Sequence, residues 1–102
     1  MRLSAKQLDA IHQCFVAHFL PVDALWLFGS RVDDLQKGGD IDLYIETHYN
    51  EPTQAIEKKI YFLRDLKKVI GDQKIDIVLN ILNDNKQQRI YEEAKSTGIK
   101  LI

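Results

Sequence analysis

Asp40 and Asp42 stand one residue apart in an otherwise apolar run, Ile41-Asp42-Leu43-Tyr44-Ile45. Alternate side chains of an extended strand share a face, so both carboxylates stand together while Ile41, Leu43 and Ile45 line the opposite face. Two ionised acids that close repel, and a fold keeps such a pair when something cationic sits between them. A divalent metal meets that need. Mg²⁺ in particular is typically held by one or two carboxylates plus the oxygens of a substrate phosphate. A third acid, Asp76, lies inside Lys74-Ile75-Asp76-Ile77-Val78-Leu79-Asn80. Here Ile75, Ile77 and Leu79 share one face and Asp76 points the other way with Val78. An unpaired acid in so apolar a strand is costly to bury. If this strand lies beside the Asp40–Asp42 strand, Asp76 completes a carboxylate triad. The alternative is that Asp76 pairs with a lysine or occupies an exposed edge.

These acids need strands to hold them and a loop to complete the site. Ala24-Leu25-Trp26-Leu27-Phe28 has the length and side chains of a buried strand, and it ends at Gly29-Ser30-Arg31-Val32. Gly29 allows close backbone approach to a ligand, and free N–H groups at a helix start attract phosphate, to which Ser30 would add a hydroxyl. The plainer reading is that Gly29 ends the strand and Ser30 caps a helix. Gly38-Gly39 supplies a turn into Asp40.

Three helical patterns surround the strands. Ser4 with Gln7 forms a capping-box pattern, Leu8, Ile11, Phe15 and Phe19 follow at helical spacing, and Pro21 closes that helix. His12, Cys14 and His18 on it have packing or surface roles. Pro52 fits a first helical position, and Ile56, Ile60, Leu63, Leu66 and Ile70 make a long stripe that stops at Gly71. The tail from Asn85 to Ile102 reads as a last helix, with Ile90 and Ala94 as a thin stripe and Gly98 as its stop. Ile99-Lys100-Leu101-Ile102 then forms a short edge strand or a contact surface for another chain.

At 102 residues the chain is one domain, 1–102, large enough for a single core. A net charge of −1 gives no electrostatic footprint for nucleic acid or an anionic membrane, so neither is an expected partner. One cysteine, Cys14, excludes an intrachain disulfide and fits a reducing compartment. No signal peptide is visible, and His18, Pro21 and Asp23 interrupt the apolar stretch from Cys14 to Phe28, so the expected address is the cytoplasm. The expected class is α/β, a mixed α+β sheet flanked by helices.

Gly29-Ser30, nine further residues, Asp40-Ile41-Asp42 and the later Ile75-Asp76-Ile77 together resemble the DNA polymerase β-like nucleotidyltransferase superfamily. Within it the chain is most similar to the minimal nucleotidyltransferases, often antitoxins partnered with small helical HEPN proteins. The resemblance spans nearly the whole chain and implies the polymerase β-like fold. It implies that Gly29 and Ser30 hold the β- and γ-phosphates of ATP. Asp40 and Asp42 would bind two Mg²⁺ ions, and Asp76 would bind one while helping deprotonate the attacking hydroxyl. Arg31 matches a Gly-Ser-Arg form of the motif and would steady the triphosphate or pack locally. The chain departs from the pattern at Asp33 and Asp34, where the family commonly carries arginine and glycine, and acids there would repel a triphosphate unless turned outward. The implied activity is transfer of AMP from ATP to a tyrosine of a HEPN ribonuclease toxin, in a homo- or hetero-oligomer. Two alternatives stand beside it: a module that neutralises its HEPN partner by binding alone, and a small-molecule nucleotidyltransferase with a separate substrate-binding subunit.

Overall fold

Helix α1, Ala5–His18, begins at a reciprocal cap in which Ser4 Oγ accepts from the Gln7 N–H and Gln7 Oε1 accepts from the Ser4 N–H. In the computed structural model the described residues are 3–32, 40–71, 73–84 and 88–102, with the backbone but not the side chain of Ser30. The Gly38-Gly39 turn, Asp33, Asp34 and the expected helix start at Asn85 lie outside them. Strand β1, Ala24–Phe28, leads into a single 3₁₀ turn, Gly29–Val32. Strand β2 is Ile41–Thr47, and α2 is Pro52–Ile70 with proline in its first turn and Gly71 at its end. Strand β3, Ile75–Ile81, is followed by a short 3₁₀ turn, Leu82–Asp84; α3, Arg89–Thr97; and β4, Ile99–Lys100.

The four strands make one sheet in the order β3-β2-β1-β4. β1 runs antiparallel to both β2 and β4, whereas β2 and β3 are parallel and joined through α2. The expected mixed sheet flanked by helices is therefore observed, and the closing residues form its edge strand. None of the helices is long and apolar enough to cross a membrane, among the described residues.

Strand parity divides the sheet into two unlike faces. Leu25, Leu27, Ile41, Leu43, Ile45 and Ile75 pack on one face against Ile11, Phe15 and Phe19 of the α1 region and Phe62 and Leu66 of α2. Phe15 stacks on Phe19 at 4.8 Å and meets Phe62 edge-on at 6.1 Å. Each such side chain, once fully buried, stabilises the fold by about 1.5–3 kcal/mol. Cys14 belongs to this core, and burial pushes its thiol pKa up, so the thiol is held as an inert hydrophobe. His18 Nε2 meets Asp65 Oδ2 at 2.5 Å and ties α1 to α2. The α2 stripe differs from its sequence reading: Leu63, Leu66 and Ile70 pack inward, but Ile56 and Ile60 are exposed. The buried stripe of the helix runs through Ala55, Phe62 and Leu66 instead, rotated from the positions of Ile56 and Ile60.

The second face carries Trp26, Tyr44 and Val78, covered by Tyr91 and Ala94 of α3. α3 can approach this closely because Gly98 ends it. A Cβ at Gly98 would collide with the Ala94 carbonyl and lie 2.8 Å from that of Leu27. The cover is short and leaves one end of this face open, the end bearing Asp42 and Asp76.

Candidate active site

The acids meet through strand register. Asp42 of β2 is directly opposite Asp76 of β3 on one side and Phe28 of β1 on the other. Parity puts Asp42 and Asp76 on the same face as Tyr44 and Val78, one step beyond the edge of the α3 cover. Asp40 stands immediately before β2 rather than inside it, and its Oδ2 lies 3.4 Å from Lys74 Nζ. Asp76 is exposed, which removes the burial cost expected of an acid within so apolar a strand.

Asp42 is the focus of the field here. Burial pushes its carboxyl pKa above the usual carboxylate value, and the charges of Asp76 and then Asp40 push the same way. The Lys74 ammonium opposes them. Among the described residues no hydrogen-bond donor reaches this carboxylate. The site thus gathers like charges on a partly desolvated surface, a condition that a hard divalent cation would relieve.

The phosphate-loop candidates flank the same acids. Gly29 sits at φ +78°, a conformation that suits glycine, directly against Asp42. A Cβ there would lie 3.1 Å from Asp42 Cγ and still closer to Oδ2. The glycine requirement therefore arises from the acid as well as from any ligand. Arg31 in the following turn donates from Nη2 to Gln73 Oε1 at 2.7 Å, linking the loop to the residues that enter β3. Ser30 occupies the turn between Gly29 and Arg31.

The donor set, three hard-oxygen carboxylates, fits Mg²⁺ in chemistry. In their present rotamers the carboxylates do not close round a common point, and among the described residues no group of three His, Cys, Asp or Glu side chains could hold an ion. A groove of about 650 Å³ lies elsewhere, along the outer side of α1, lined by Leu8, His12 and Val16 among others. It carries no cluster of acids, so the open acid end of the sheet is the better candidate for chemistry.

A model of the family described as "Polymerase beta, Nucleotidyltransferase" matches residues 10–102. The chain belongs to this family. No curated protein matches it. The polymerase β-like fold and a general nucleotidyl transfer activity follow from that membership, and members generally use a nucleoside triphosphate with a divalent metal. Two neighbours of the site went unnoticed in the sequence, Lys74 and Gln73. Lys74 left a usable signal, because it stands two residues before Asp76 and so shares its parity. Gln73 left none, since its partnership with Arg31 crosses 42 positions of the chain.

Proposed function

We propose that this polymerase β-family chain is a Mg²⁺-dependent transferase that moves AMP from ATP to a hydroxyl of a partner protein. The partner in this reading is a helical HEPN ribonuclease, silenced by modification of a tyrosine. The observation that carries the reading is the pairing of Asp42 with Asp76, in register and on an open face, beside the Gly29 turn.

Asp40 and Asp42 would hold two Mg²⁺ ions, with Asp76 sharing one. When bound, the ions lower the pKa of the attacking hydroxyl and stabilise charge on the attacking and leaving oxygens. Gly29 lets the backbone approach the β- and γ-phosphates, Ser30 contributes its hydroxyl and Arg31 its positive charge. Asp76, exposed to an incoming acceptor, takes the hydroxyl proton as that oxygen attacks the α-phosphorus and pyrophosphate departs. That exposure suits an acceptor borne by a second protein.

The test is mass spectrometry of the partner after incubation with ATP, Mg²⁺ and this chain. Addition of AMP to a tyrosine is expected, and Asp76→Asn should abolish it while leaving association intact. A second reading is neutralisation by binding alone. If Asp76→Asn silences the partner as fully as wild type at equal concentration, that second reading replaces the first.

A further inference from the structure

Lys74 is rooted between the acids. Its carbonyl accepts from the Ile41 N–H at 3.0 Å, so its backbone is pinned beside the residue that separates Asp40 from Asp42. Its Nζ lies 3.4 Å from Asp40 Oδ2, and its charge also bears on Asp42. Two residues further along the chain stands Asp76, on the same parity. A single cation therefore serves both Asp40 and Asp42, reaching them from the strand that carries Asp76. The Lys74 side chain is 71% exposed and Asp40 40%, so the contact is held loosely, on a flexible stem ending in a compact, strongly hydrated ammonium. Such a group can leave without disturbing the sheet.

We propose that Lys74 is a tethered counter-ion: its ammonium balances the acid cluster in the metal-free protein and competes with an incoming divalent cation for Asp40. This deepens the reading of the acids as metal ligands and rests on it. Lys74 is then a positioning residue that sets how readily the domain takes up metal. A lysine serving only to brace β2 against β3 makes the opposite prediction, because losing it would loosen the acids and weaken metal binding.

Lys74→Met keeps the aliphatic stem and removes the charge, and Lys74→Arg keeps the charge. Thermal melting in EDTA and Mn²⁺ affinity without nucleotide, read from free Mn²⁺ by electron paramagnetic resonance, measure both halves of the proposal. Lys74→Met should melt lower than wild type in EDTA and bind Mn²⁺ about 2–5-fold more tightly, the scale of an exposed ion pair. Lys74→Arg should match wild type in both. On an Asp42→Asn background the melting loss should shrink. Unchanged or weaker Mn²⁺ binding by Lys74→Met, alongside lost binding in Asp42→Asn, overturns the counter-ion while leaving the metal site standing. Mn²⁺ binding that ignores Asp42→Asn as well overturns both.

Discussion

Asp23 precedes β1 and Asp42 lies opposite its last residue, Phe28, so the two acids mark the two ends of one β-hairpin. At the first end Asp23 is wholly buried, and its carboxylate accepts from the Leu20 N–H, Thr47 Oγ1 and the His48 N–H at 2.8–3.0 Å, with His48 Nδ1 at 2.9 Å. At the other end Asp42 is half-buried and feels two further carboxylates, with the Lys74 ammonium opposing them. The first acid is satisfied within the fold and holds the α1–β1 connection onto the end of β2. Among the described residues the second finds no such set of donors, and a bound cation would relieve the field around it. Among the described residues the two carboxylates differ in their donors as well as in their burial.

The largest effect expected from breaking this contrast is at Asp23. Asp23→Ala leaves several buried donors without an acceptor and should cost about 3 kcal/mol in urea unfolding, whether or not metal is present. Gly29→Ala acts on both accounts. It should cost about 1–2 kcal/mol from the left-handed backbone and, by displacing the Asp42 carboxylate, weaken Mn²⁺ binding. Gly29→Val should do the same more severely, so a substitution there disturbs the acid as well as any nucleotide. Tyr44→Phe tests the sealed part of the Asp42 face. Tyr44 donates to Glu46 Oε2 at 2.8 Å and accepts from Asn80 Nδ2 at 3.0 Å, and burial holds its phenol pKa well above the usual value. Removing the hydroxyl should cost about 1 kcal/mol and leave Mn²⁺ affinity unchanged.

The smallest effect is the most specific to Asp42. Its folded pKa is raised, so its ionisation penalises the fold at neutral pH, and the penalty lifts as pH falls through that pKa. In EDTA, Asp42→Asn should melt a few degrees above wild type near pH 7, and the gain should vanish by about pH 3. A constant gain across that range would mean the substitution acts through packing rather than charge.

The sequence displays the contrast unevenly. The parity of Asp42 and Asp76 is plain in the alternation of their strands, as are the capping box at Ser4 and the proline in the first turn of α2. Register is not encoded in parity: that Asp42 faces Asp76 depends on α2 delivering β3 parallel to β2 in one alignment out of several. The Asp23 network was hidden for a similar reason, since its partners Thr47 and His48 come from the far end of the hairpin. Ile56 and Ile60 misled because apolar spacing alone does not fix which face of the helix turns inward, and the small Ala55 beside Ile56 takes the buried position. The sequence offers Gly29 as a strand end or a ligand contact, and its packing against Asp42 becomes visible only once β1 and β2 are paired.

The claim that the acid end is a metal-dependent nucleotide site is tested most directly by calorimetric titration of ATP into the wild-type chain and Asp42→Asn, each with Mg²⁺ and with EDTA. The account predicts ATP binding by wild type only with Mg²⁺, weakened at least about tenfold in an Asp42→Asn protein that remains folded. Equal ATP affinity in all four titrations would contradict it.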